Sequence, residues 1–241
     1  MSFTSWRGVI GIIKPTLRPG SLEEFIKLLP DGIGVIPLHV ALRRGTRDEF
    51  QQAMGAYEAK VEELASLEVD VIHPEGAPPF MVHGYRGEQE IVQRWEQKHR
   101  IPIVTAGMTH VESLRALGIG RFVGVTYFQG DLNDTFSRYF RDAGFEVLAM
   151  EGLPVPFEDV GKLSAQEVYA HTKRAYLAHT GAEAIYMLGS GWRTLDIVDL
   201  LEQDLGVPVI HPVPARLWAL QKRLRVRQPC PGFGRLLREM P

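Results

Sequence analysis

Cysteine is nearly absent from this chain: Cys230 stands alone among 241 residues. That excludes an internal disulfide and a multi-cysteine zinc site. No apolar run approaches the roughly 18 residues needed to span a bilayer. Neither sign of charge dominates; the formal net charge of −2 gives nucleic acid or an anionic membrane no electrostatic footing. P-loop, G-x-G-x-x-G and H-E-x-x-H patterns are all missing, so no nucleotide cofactor is implied. The opening MSFTSWRGVIGII leads into a strand-like segment without a signal-peptide cleavage signature. A cytoplasmic enzyme or binding protein is the expectation. The basic stretch from Arg216 to Arg227 reads as a solvated helix face.

What is present is an ordinary globular composition, 45% hydrophobic and 23% charged, arranged as short apolar runs alternating with amphipathic stretches. That alternation is the pattern of α/β proteins built on parallel sheets. Strands are predicted at 8–13, 33–38, 69–73, 102–105, 121–126, 145–149, 184–188 and 207–210. Helices are predicted at 46–67, 85–99, 108–117, 132–143, 164–180, 192–205 and 213–223. The order suggests two halves of similar plan, with a first domain at 1–109 plus the tail 213–241 and a second at 110–212. In each half the third strand ends in a glycine turn, HPEGAPP at 73–79 and LGSGWR at 188–193.

Ligands of open α/β sheets bind outside the carboxyl ends of the strands. The groups placed there are Lys14, Thr16, His39, His73, Glu75, Thr105, Tyr127, Glu151, Ser190 and His211. The two glycine turns are read as helix N-termini whose amides, at Gly76 and Ala77 or at Ser190 and Gly191, could hold a carboxylate.

Three stretches, GIIKPT at 11–16, LRALGIGRFVGVTYF at 114–128 and TLDIVDLLEQDLGVPVIHPVPARLW at 194–218, together with PGFGRLL at 231–237, carry a family resemblance. The chain resembles the arylmalonate decarboxylase and maleate isomerase branch of the aspartate/glutamate racemase superfamily. The resemblance implies two pseudo-symmetric α/β domains, each with a four-stranded parallel sheet flanked by helices, and a site in the cleft between them. It also implies cofactor-independent chemistry beside the carboxylate of a small carboxylic or dicarboxylic acid, with possible homo-oligomers. The family works with cysteines at two matching positions, of which arylmalonate decarboxylase keeps the second. Here those positions carry Gly76 and Gly189, or Ser190 if the second is shifted by one residue. Pro15 and Thr16 fall in the substrate-binding stretch, and Tyr127 matches a tyrosine that hydrogen-bonds the retained carboxylate.

Without a thiol, addition to a double bond and two-thiol racemisation lose their nucleophile or base. Decarboxylation survives best, since it needs enolate stabilisation and one proton donor. Glu75 is the first candidate donor, with His73, His211 and Lys14 behind it. Glu75 could serve only if burial raised its pKa above the reference of about 4.3. Two other readings stand beside this one. One is a metal-assisted enzyme with His39, His73, Glu75 and His211 as ligands; the other is a carboxylate-binding protein without catalysis.

Overall fold

The computed structural model describes residues 4–241. Its elements run β1 (Gly8–Lys14), α1 (Ser21–Leu28), β2 (Ile33–His39), α2 (Arg47–Gln52), α3 (Met54–Ser66), β3 (Val71–Pro74), α4 (Pro78–Met81), α5 (Gly84–His99) and α6 (Ala106–Ala116). The chain continues with β4 (Arg121–Thr126), α7 (Asp131–Asp142), β5 (Glu146–Gly152), α8 (Ala165–Ala178), β6 (Ile185–Met187), α9 (Val198–Leu205), β7 (Val209–Ile210), α10 (Pro212–Arg223) and α11 (Arg235–Glu239). Short 3-10 segments cover Phe157–Lys162 and Leu195–Ile197.

All strand pairings are parallel, in two sheets ordered β2-β1-β3 and β5-β4-β6-β7. The winding is alike, with the first strand of each sheet lying between its second and third. Parallel sheets carry helices on their faces, which is why β1 and β4 read as nearly unbroken apolar runs. The helix packing is tight enough that a Cβ on Gly11 would come within 2.9 Å of Leu64 on α3. Fully buried Trp95, Trp192 and Trp218 anchor the core. Among the described residues no helix is long and apolar enough to cross a membrane.

Three expectations need correction. The first sheet has three strands rather than four, because 102–105 joins only through the bridge between Ile72 and Ile103. Pro102 has no N–H to give a ladder, and Thr105 already caps α6 by accepting from the Met108 amide. The segment 21–28, left unassigned by periodicity, is α1; the Glu23 carboxylate accepts the Gly20 amide at 2.6 Å, and Phe25 and Leu28 point inward. Finally, no helix begins at Trp192: residues 192–194 are irregular, a 3-10 turn follows, and α9 starts at Val198.

Helix α10 leaves β7 and packs against α6, α1 and β3, while α11 covers it. It is not a solvated face. Ten of its twelve residues are buried, Arg216 among them, and Arg223 grips Glu112 of α6 with two hydrogen bonds of 2.7 and 2.6 Å.

Candidate active site

The carboxyl ends of β1, β3, β4 and β6 deliver Lys14, His73 with Glu75, Tyr127, and Gly189–Gly191 to one small cavity of about 50 Å³. Arg18 from the loop after β1, His110 from α6 and Arg216 from α10 complete its polar lining. Phe50, Phe128, Phe157, Leu42 and several prolines supply apolar walls. Pro15, Thr16, Gly76 and Ala77 also border the cavity, whereas His39, Thr105, Glu151 and His211 stand outside it.

Glu75 is the electrostatic centre of the site. Its Oε1 lies 2.9 Å from Arg216 Nη1 and accepts the Ser190 hydroxyl at 2.8 Å. Tyr57 fixes the backbone beneath it by donating its hydroxyl to the Glu75 carbonyl at 2.7 Å. Burial alone would push the Glu75 carboxyl up. Arg216, the Ser190 hydroxyl, His73 and the nearby Ser21 together outweigh it and hold the carboxyl below the usual range. Glu75 is therefore an anion at neutral pH, which corrects the expectation of a protonated acid. The Arg216 pair is close but not aligned as a hydrogen bond at Nη1. Its Nη2 instead donates to the Ser21 carbonyl, and the guanidinium sits 4.5 Å from the Phe25 ring centre.

The histidines are neutral. Burial, then the Arg216 charge, bring His73 down to about 4, with Glu75 and the Val104 carbonyl partly compensating. Burial followed by the neighbouring His73 and His211 takes His110 to about 3. His211 also falls to about 3, through burial and then Arg216. It caps α10 by accepting the Val213 amide at 3.2 Å on Nδ1 and contacts Thr194 at 3.0 Å through Nε2. Both ring nitrogens are occupied in holding structure, so His211 is removed from the list of proton donors.

Tyr127 remains a neutral phenol, pushed up to about 12 by burial, with Arg18 and the Gly191 backbone pulling the other way. Its ring fills the space beside Gly189: a Cβ there would lie 2.3 Å from Tyr127 Cε1, at a backbone φ of +108°. A thiol at Gly189 has no room while the tyrosine keeps this position. Lys14 is buried and donates to the Arg18 carbonyl at 2.8 Å. Arg18 stacks 4.2 Å from the Phe157 ring centre, and among the described residues its buried Nη1 has no hydrogen-bond partner.

Sequence reasoning missed Arg18, His110 and Arg216. Arg18 follows GIIKPT by two residues and is the one whose position at a strand end could have signalled it. Arg216 sat in the quoted stretch 194–218 but read as a surface charge, and His110 was hidden inside a helix. Neither glycine turn opens a helix that could lend its dipole, since α4 is a single turn and α9 begins seven residues after Gly191. The proposed metal ligands do not converge either. His39 and His211 do not border the cavity, and among the described residues no group of three or more His, Cys, Asp or Glu is placed to hold a metal ion.

The sequence profile described as arylmalonate decarboxylase matches residues 10–237. The chain belongs to that family. Among curated relatives, arylmalonate decarboxylase of Bordetella bronchiseptica is 26% identical over 141 residues, 58% of this chain and 59% of the relative. Maleate isomerase of Nocardia farcinica is 28% identical over 130 residues, 54% of this chain and 51% of the relative. The aligned parts thus span little more than half of each curated relative. Solved structures similar in fold include maleate isomerase of Pseudomonas putida with maleate, at TM-score 0.88 and 21% identity over 96% of this chain and 97% of the other. Arylmalonate decarboxylase matches at TM-score 0.81 and 21% identity, over 96% and 99% of the two chains. The Nocardia isomerase with a covalently bound succinylcysteine intermediate matches at TM-score 0.90 and 21% identity, over 96% and 98%. That covalent chemistry belongs to the relative, which has a cysteine to carry it. In this family member, Cys230 is outside the cavity lining.

Proposed function

We propose that this protein is a cofactor-independent enzyme acting beside the carboxylate of a small carboxylic acid, and that it decarboxylates without a catalytic cysteine. The observation that carries the proposal is an ionised Glu75 and a buried Lys14 bordering one small cavity. The site lies between domains at 1–109 with 213–241 and at 110–212. Arg18, with its unpartnered Nη1, and the Tyr127 hydroxyl hold the carboxylate that is retained. The carboxylate that leaves sits beside Glu75. Its negative charge is costly next to another anion and vanishes when the C–C bond breaks to give neutral carbon dioxide, so the repulsion is relieved along the reaction. The bonding pair remains on the substrate as an enolate, whose charge Arg18 and Tyr127 stabilise. Lys14 then delivers one proton from Nζ to carbon.

The ionised state of Glu75 also favours a second reading. As a base it would take a proton from the carbon beside the carboxylate and return it elsewhere, which is isomerisation. Proton NMR in heavy water, with a panel of substituted malonates and of unsaturated and 2-substituted monocarboxylates, separates the two. Decarboxylation releases carbon dioxide and leaves one deuterium at the new C–H. Isomerisation exchanges deuterium into the acid with no loss of carbon dioxide. Lys14→Met should lower decarboxylation roughly 100-fold. Binding of the acids with neither reaction would reduce the protein to a carboxylate-binding role and overturn the proposal.

A further inference from the structure

Two neutral imidazoles border the inner cavity, and the mechanism above uses neither. His73, on β3, is completely buried, and its Nδ1 meets the Val104 carbonyl at 2.7 Å. A carbonyl only accepts, so Nδ1 carries the proton and Nε2 is left as an acceptor. His110, on α6, meets the Tyr186 hydroxyl through Nδ1 at 3.0 Å. With that hydroxyl donating to Nδ1, the proton of His110 lies on Nε2, which is then a donor. Among the described residues neither Nε2 has a hydrogen-bond partner, although both are shut off from solvent. Both rings border the same cavity.

Buried polar atoms are almost always satisfied, and each exception calls for a missing partner. One group that satisfies both must accept from His110 and donate to His73. A carboxylate cannot, because it has no hydrogen for His73. A methylene can do neither. An alcohol does both with one oxygen, taking the place of a water that would do the same in the free protein. We propose that this end of the cavity receives a hydroxyl of the substrate, so that the acids preferred are hydroxy acids rather than plain acids or those carrying a further carboxylate. The inference rests on the carboxylate-binding reading of the same cavity, and it assigns His73 and His110 as specificity-determining residues.

The test measures dissociation constants by calorimetry for butyrate, for 2-, 3- and 4-hydroxybutyrate and for succinate. At least one hydroxybutyrate should bind tenfold or more tighter than butyrate and than succinate, because the analogues leave both imidazoles unpaired. His110→Phe keeps a ring of similar size and should bring that ratio within about threefold of unity, acting on the hydroxy acid alone. Equal binding of butyrate and every hydroxybutyrate by the unaltered protein overturns the inference and leaves the carboxylate reading intact. Succinate binding as tightly as the best hydroxybutyrate also overturns it. No binding by any of the five acids at millimolar concentration defeats both readings. Should His110→Phe fail to fold, nitrogen-15 NMR of the histidine-labelled native protein decides. His73 Nε2 should be an unprotonated acceptor whose signal moves with the hydroxybutyrate and not with butyrate. A protonated His73 Nε2 in the free protein, or the same response to both acids, refutes the assignment.

Discussion

Among the described residues two carboxylates are closed off from water, and their surroundings drive them to opposite charge states. Glu75, after β3, touches Arg216 and Ser190 and is held ionised. Glu88, on α5, accepts from Thr105 Oγ1 at 2.6 Å and from the Tyr139 hydroxyl, and among the described residues no cation pairs with it. Burial is the largest influence on each. At Glu88 the two hydroxyls only partly oppose it, and the carboxyl is raised to about 7. At Glu75 a guanidinium tips the balance the other way. Hydroxyl donors soften desolvation, whereas an adjacent fixed charge reverses it. The consequence is a division of labour. Glu75 is an anion at neutral pH facing the cavity, and Glu88 ties α5 to the start of α6 and to α7 with a carboxyl raised to about 7.

The comparison breaks most visibly at Arg216. Arg216→Met leaves the Glu75 charge buried without its partner and should cost about 3–5 kcal/mol in urea unfolding at pH 7. Adding Glu75→Gln to that variant should restore part of the loss. A single-variant cost below about 1 kcal/mol would mean that the pair does not set the charge of Glu75.

The pH dependence of Glu88 comes next. Its folded carboxyl is raised from 4.5 to about 7. The stability it contributes is therefore complete below pH 4.5 and lost as pH rises through 7, a span of about 3 kcal/mol. Glu75 has the opposite sign, contributing above the unfolded value and losing that contribution as acid protonates it. His73, His110 and His211, depressed to about 4, 3 and 3, also weaken the fold as pH falls below about 6.5. Subtracting the stability curve of Glu88→Gln from that of the native protein isolates Glu88. The difference should decline by about 3 kcal/mol from pH 4.5 to 8, and a flat difference would show the carboxyl to be ionised throughout.

A smaller effect is expected at the second glycine turn. Gly189→Ala places a methyl 2.3 Å from Tyr127 Cε1 at a φ of +108°, and should cost about 1–3 kcal/mol in denaturant unfolding. Gly189→Cys meets the same obstacle, so installing a thiol there should not by itself bring cysteine chemistry; Tyr127 must move as well. Gain of racemase activity by Gly189→Cys alone would show the tyrosine to be mobile. The smallest effect concerns Cys230, half-buried and away from the cavity. Iodoacetamide should leave turnover unchanged, and inactivation in step with Cys230 labelling would reject the thiol-free reading.

Much of the fold was legible because its signals are local. The apolar runs of β1 and β4 announce buried strands, and the capping pair Ser164 and Glu167 marks the start of α8. What local pattern could not resolve were the short or interrupted pieces. Eight residues of α1 are too few for a period, and Pro102 cuts the fourth strand of the first sheet to a bridge. The chain around Gly189–Gly191 looks like a strand-to-helix turn until the packing of Tyr127 and Trp192, ring centres 5.1 Å apart, is seen.

By itself the sequence determined the alternation of strands and helices, the family to which the chain belongs, and the presence of one cysteine, Cys230. It also placed Lys14, His73, Glu75, Tyr127 and Ser190 at strand ends, where the cavity forms. Only the tertiary structure decided which charges meet. Ser190 lies 115 positions from Glu75, and Arg216 reaches the Ser21 carbonyl across 195. A carboxyl's charge is set by what stands within a few ångströms of it in space, and no reading along the chain contains that distance.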